Sequence, residues 1–144
     1  MVIAVDFDGT IVEHRYPSIG EEIPFAVETL KLLQQDKHRL ILWSVREDHL
    51  LEEAVEWCKE RGLEFYAVNK DYPEESREDK GYSRKLKADL FIDDRNVGGL
   101  PDWGQIYQMI KEKKTFEDIY TCSIDKDEPQ KKKKKGWFSF GSSR

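Results

Sequence analysis

The sequence predicts a small α/β domain, a doubly wound parallel sheet without a cap domain, and three observations predict it. Short apolar runs recur at Val2–Val5, Leu40–Trp43, Phe65–Val68 and Ala88–Ile92. Between them, apolar residues return every three or four positions, the period of an amphipathic helix. Strands that alternate with helices form a parallel sheet covered on both faces, and right-handed crossovers leave few ways to wind it.

The elements follow in chain order. Val2-Ile3-Ala4-Val5 ends in acids and a glycine and reads as a fully buried strand. A helix is expected from Pro24, with Ala26, Val27, Leu30 and Leu33 on one face. Leu40 to Trp43 is a second buried strand. From Glu47 to Arg61 a second helix turns Leu50, Ala54 and Trp57 or Cys58 inward, and Gly62 closes it. Phe65 to Val68 is a third strand, followed by a polar segment from Asn69 to Tyr82. A short helical turn at Ser83–Leu86, with Ser83 as its N-cap, leads into a fourth strand, Ala88–Ile92. Pro101 and Asp102 open a last helix whose apolar face is Trp103, Ile106, Tyr107 and Ile110. Thr115 to Tyr120 fits either a further turn or an edge strand. The core is thus expected over residues 1–124, and 125–144 as a disordered basic and aromatic tail.

Composition narrows the classes. A chain of 144 residues fits one domain and can bury about two-thirds of its surface. No apolar run approaches the ~18 residues of a membrane span, and no basic region or cleavage site marks a secretory signal. Cys58 and Cys122 lie far apart with no partners at metal spacing, which argues against a disulfide framework and a zinc site. A soluble cytoplasmic protein is expected. The net charge is −5, yet residues 131–144 carry +6, leaving −11 on the rest. An acidic body does not suit a nucleic-acid-binding core. The tail, Lys131 to Lys135 followed by Trp137-Phe138-Ser139-Phe140, suits an anionic membrane surface. Weak contact with RNA and plain solvation are its alternatives.

In such a sheet, ligands bind outside the carboxyl ends of the strands. The first strand is followed by Asp6-Phe7-Asp8-Gly9-Thr10, the second by Ser44, the fourth by Asp93-Asp94. Four carboxylates and a hydroxyl therefore converge on one edge. Like charges raise one another's pKa, and a bound cation relieves the conflict; clustered hard oxygens suit Mg²⁺. Asp6 and Asp8 flank Phe7, so on an extended segment both acids point one way and Phe7 the other. Two such acids can divide labour, one attacking phosphorus and the other moving protons. Gly9 permits a tight turn and a close backbone approach to phosphate. Each feature also has a plain explanation: Asp-Gly as a turn, Asp93-Asp94 or Ser44 as caps, His14 as an exposed loop residue, Trp43 and Trp57 as core aromatics. Only the joint pattern points to chemistry.

That pattern resembles the DxDGT motif of the haloacid dehalogenase (HAD) superfamily of phosphohydrolases, with Ser44 and Asp93-Asp94 matching later motifs in order. The resemblance spans residues 1 to about 120 and extends to a small bacterial subgroup of compact members. It implies a Mg²⁺-dependent phosphatase working through an aspartyl-phosphate, with Asp6 as nucleophile and Asp8 as general acid/base. Gly9, Thr10 and Ser44 become the candidate phosphate contacts. Asp6, the Asp8 carbonyl, Asp93 and Asp94 become the metal ligands. The motif lysine is Lys80, Lys85 or Lys87; Lys85 is preferred as the catalytic one, with Lys87 second, at the substrate.

Members of this superfamily usually carry a cap. Here 33 residues separate Thr10 from Ser44 and are largely used by helix and strand, and the loop Asn69–Tyr82 has 14. Neither holds a domain. The open site implies a large phosphorylated substrate (a protein, a nucleic-acid end or a lipid-linked sugar) or a neighbouring subunit as lid in a homo-oligomer. Glu13–Ile23 is a candidate flap and 69–82 a candidate wall. Two other classes stay open: a catalytically weak binding or scaffold protein, and a phospho-accepting receiver domain, which keeps its acidic pair near the N-terminus but phosphorylates a later aspartate.

Overall fold

The computed structural model describes residues 1–115 and 117–119. Four strands, β1 (Val2–Val5), β2 (Arg39–Leu42), β3 (Ala67–Val68) and β4 (Leu90–Ile92), form one all-parallel sheet in the order β3-β2-β1-β4. The helices are α1 (Ala26–Gln35), α2 (Asp48–Glu60) and α3 (Trp103–Glu112). The strands run outward from β1 to β3 and then return to place β4 on the other side of β1. This is a small α/β Rossmann-like sheet with a topological switch beside its first strand, and no cap domain interrupts it.

Side chains alternate across the sheet with period two. Ile3, Val5, Leu40, Leu42 and Ile92 face one cluster, which also takes Leu30 and Leu33 of α1, Ala54 and Cys58 of α2, and Trp103, Ile106 and Ile110 of α3. Ala4, Ile41, Ala67 and Leu86 form a second, smaller cluster on the opposite face, edged by Trp43, Ala88 and Phe91. All three helices therefore lie on one face. The second face is covered too, as expected, though not by a helix. The crossover from β3 to β4 passes over the second face, as right-handed winding requires, but as irregular chain.

That crossover is where the sequence reading departs most. Residues 83–86 form no helix, and Ser83 caps nothing; Leu86 alone is buried there. The segment is held instead by side chains bonding backbone: Lys87 N–H to Asp71 Oδ1 at 2.7 Å and Lys87 Nζ to the Gly81 carbonyl at 2.8 Å. β4 begins at Leu90 because Asp89 spends its carboxylate on the Val2 N–H, at 2.7 Å. β3 shortens to two residues, although the Tyr66 and Asn69 amides still bond Leu40 and Leu42 of β2.

Helix boundaries follow local chemistry. α1 starts after Phe25, which is left-handed at φ 67° and caps nothing; the Glu22 carboxylate accepts from the Val27 N–H at 3.0 Å. Gly62 closes α2 at φ 77° and Asp102 caps α3 through the Gln105 N–H, both as expected. Past α3, residues 117–119 are helical, with the Thr115 N–H on Asp118 at 2.7 Å, so the turn and not the edge strand is found. The expected tail, 125–144, lies outside the described residues. Among the described residues no helix is long and apolar enough to cross a membrane. Leu30 is fully buried between α1 and the sheet; Leu30→Ala should lower the urea-unfolding free energy by about 2–5 kcal/mol with an unchanged m-value.

Candidate metal and phosphate site

The site lies at the carboxyl edge of the sheet and is built by extension of its ladders. The Asp6 N–H donates to the Ile92 carbonyl at 3.0 Å and the Trp43 N–H to the Val5 carbonyl at 2.8 Å. The pairing thus continues one residue past each strand, which fixes where Asp6 leaves the sheet and sets it beside the turn after β4. Phe7 turns the opposite way, as alternation predicts, and packs edge-on against Trp57 of α2 with ring centres 5.7 Å apart.

Asp6, Asp93 and Asp94 each bring a carboxylate oxygen to within 4.8 Å of the others. Acids distant in sequence therefore meet at one place. Burial pushes the Asp6 carboxyl from an ordinary 3.8 to about 7; the Phe7 amide opposes this and the Asp93 and Asp94 charges add to it. Three hard oxygen donors on a half-buried edge, with no ion pair to a basic side chain among the described residues, suit a divalent cation.

Thr10 ties the two acidic turns together. Its hydroxyl lies 3.2 Å from both Asp6 Oδ2 and Asp94 Oδ1 and accepts from the Asp94 N–H at 3.1 Å. Its carbonyl accepts from the Trp103 indole at 3.1 Å, so α3 also holds the turn. Thr10 is fully buried, which makes it a structural clamp and corrects its expected role as a phosphate contact. Gly9 is also reassigned. Its amide donates to the Val12 carbonyl at 2.7 Å, so it is not free for phosphate. At φ 85° it gives room to Asp94, whose carboxylate a Cβ would strike.

Ser44 stands where expected, half-buried at the end of β2. Asn69, at φ 53°, clasps its backbone: the Ser44 N–H donates to Asn69 Oδ1 at 2.8 Å and Asn69 Nδ2 to the Ser44 carbonyl at 3.0 Å. Ser44 Oγ accepts from the Arg46 N–H at 3.1 Å and keeps its own proton to donate.

The carboxylate of Asp8 stands apart from the other three acids. Arg46 grips it through two bonds of 2.7 Å, a bidentate pair in which the arginine is fully buried and Asp8 nearly so. The Asp8 side chain therefore does not join the cation donors. Its hydrogen bond and charge also raise the Arg46 pKa. Lys85 and Lys87 make their contacts away from the acids. Lys85 is exposed, with Nζ 5.5 Å from the Phe91 ring centre on the second face of the sheet. Lys87 is committed to Gly81 within the crossover. Among the described residues no lysine makes an ion pair with Asp6, Asp93 or Asp94. Arg46, Asn69 and Trp103 are the functional-edge residues that sequence reasoning missed. Arg46 carried a signal: a basic residue two positions after Ser44, where an apolar strand has just ended.

Asp6 generates a pH prediction for the chain freed of divalent ions by a chelator. Its folded pKa lies above the unfolded one, so unfolding releases a proton between about 4 and 7 and this carboxyl lowers stability as pH rises through that window. Asp6→Asn removes the effect. The melting temperature of Asp6→Asn should match wild type near pH 4 and exceed it by a few degrees at pH 8, while added Mg²⁺ raises wild type alone. A gap that stays constant with pH would refute the assignment.

Comparison with protein-family models finds no match, and comparison with curated proteins finds none. A solved structure does match, that of a conserved protein coded by a locus from Bacteroides thetaiotaomicron, 83% identical, with a TM-score of 0.79. The alignment covers 83% of this chain and 97% of that one. Identity at this level over nearly the whole of that protein leaves one conclusion: the chain belongs to the same family as the conserved protein of B. thetaiotaomicron.

Proposed function

We propose that the protein is a Mg²⁺-dependent phosphomonoester hydrolase acting through an aspartyl-phosphate, in the manner of the HAD superfamily that its motifs resemble. The observation that carries the reading is the meeting of Asp6 with Asp93 and Asp94 at the carboxyl edge of a parallel sheet, two residues before a second, separately held aspartate.

In this reading Asp6 is the nucleophile. A carboxylate oxygen of Asp6 attacks phosphorus, and the bond from phosphorus to the leaving oxygen breaks as Asp8 protonates that oxygen. Water then attacks phosphorus, Asp8 takes its proton, and the bond between phosphorus and Asp6 breaks to restore the carboxylate. Ser44, with its backbone clasped by Asn69 and its O–H free to donate, holds a phosphate oxygen. A cation bound by Asp6, Asp93 and Asp94 would supply positive charge that keeps Asp6 ionised at neutral pH and offsets the charge of the phosphoryl group. The missing cap supports a large phosphorylated substrate, or a second copy of the chain as lid.

The absence of a lysine from the three acids, among the described residues, favours one second reading: a binding protein that takes the cation and the phosphate without useful turnover. The two separate in one experiment. Wild type should hydrolyse an aryl phosphate or a member of a broad phosphoester panel only with Mg²⁺, and Asp6→Asn should lose at least about 10³-fold in kcat. Thermal stabilisation by Mg²⁺ with equal inactivity of wild type and Asp6→Asn would establish the binding protein instead.

A further inference from the structure

Arg46 has more partners than an ion pair needs. Beyond its two bonds to Asp8, Nη1 donates to the Pro17 carbonyl at 3.1 Å and approaches that of Leu50 at 3.5 Å. Nη2 also donates to the Ser18 carbonyl at 2.9 Å. The guanidinium carbon lies 5.3 Å from the ring centres of both Phe7 and Tyr16. Arg46 itself is 0% exposed, so it cannot touch a substrate.

Pro17 and Ser18 belong to the exposed tip of the segment Glu13–Ile23. The base of that segment is closed by backbone bonds, Glu13 N–H to the Glu21 carbonyl at 2.8 Å and Ile23 N–H to the Ile11 carbonyl at 2.9 Å. Gly20 lets the two legs approach, since a Cβ there would strike the Glu13 carbonyl. The tip has no such ladder; its carbonyls are held by Arg46. One planar group thus fastens two things at once. A guanidinium can serve both because its donors point in fixed directions, whereas a lysine ammonium could not span them.

We propose that Arg46 is a positioning residue that couples the flap formed by residues 13–23 to Asp8, so that loosening either end of the link loosens the other. The part concerning Asp8 rests on the phosphatase reading; the mechanical link does not. Two of the carboxylate's lone pairs are taken by Arg46, which leaves the outward ones for proton transfer in a fixed direction.

The test uses the full chain with Arg46→Lys, Arg46→Ala, Asp8→Asn and the Arg46→Lys/Asp8→Asn double variant. Hydrogen exchange reads the link without any need for activity. Exchange of the peptide covering 13–23 should quicken at least about 10-fold in Arg46→Lys, and measurably in Asp8→Asn, while the peptide covering α1 keeps its wild-type rate. Kinetics read the positioning. Arg46→Lys should lower kcat by about 10–100-fold with KM within about threefold, and should add less than about threefold to the loss already present in Asp8→Asn. Methylguanidinium should restore part of the rate in Arg46→Ala and none in Asp8→Asn. Flap exchange that stays at the wild-type rate, or that rises together with α1, overturns the coupling. A loss carried by KM, or effects that multiply in the double variant, overturns the positioning. If wild type hydrolyses nothing, the phosphatase reading fails by itself, and the exchange experiment still decides the link.

Discussion

The parallel pairing of β1 between β2 and β4 is the constraint from which the site follows. With Val5 opposite Leu42 on one side and Ile92 on the other, whatever follows these residues must emerge at one edge and within one strand spacing. Parallel strands are about 4.8 Å apart, close enough for carboxylates on neighbouring strand ends to share one cation. An antiparallel β4 would have sent Asp93 and Asp94 to the far end of the sheet. The Thr10 clamp and its bond from Trp103 then hold turns that the ladder has already brought together.

Two carboxylate environments with opposite charge logic sit two residues apart. Asp8 is neutralised on the spot by a buried, bidentate guanidinium. Such a pair adds little net stability against an apolar replacement, but removing one member strands a charge at a cost of about 3–5 kcal/mol. Among the described residues Asp6 has no ion pair with a cationic side chain, and it faces two further acids. A fold selected for stability alone would have spread a cation across these groups. Withholding one from Asp6 while supplying one to Asp8 costs stability and leaves room for an exogenous ion, the pattern expected where a site and not the core sets the sequence.

The sheet was legible because its signals are strong and local. Four apolar runs, two of them flanked by amphipathic periods and a third followed by a Pro-Asp helix start, admit few topologies. The crossover was not. Ser83 followed by Arg84, Lys85 and Leu86 has the look of a capped turn, yet these residues have one buried apolar contact to offer and too short a run to sustain a helix. The meeting of Asp6 with Asp93 and Asp94 is legible because strand ends are predictable. The partner of the Asp8 carboxylate, Arg46, is not legible in the sequence because it is 38 residues away, and no periodicity announces a contact of that kind. Thr10 and Gly9 were read as phosphate contacts for the same reason: the sequence shows the turn but not that Asp94 and Val12 already occupy its polar groups.

The lysine question turns on how the two halves of the site edge are anchored. Asp6, Ser44 and Asp8 are each fixed by a backbone ladder, an Asn69 clasp or a fully buried arginine. Within the crossover, 71–82 has its own backbone turns and the buried Glu75, whereas the stretch around Lys87 is tied by exposed bonds, Lys87 N–H to Asp71 and Lys87 Nζ to the Gly81 carbonyl. Bonds of that sort lie at the low end of local stability, because water replaces each partner at little cost. The ladders, the clasp and the buried arginine place the acids, and Lys85 and Lys87 of the crossover take no part in that placement.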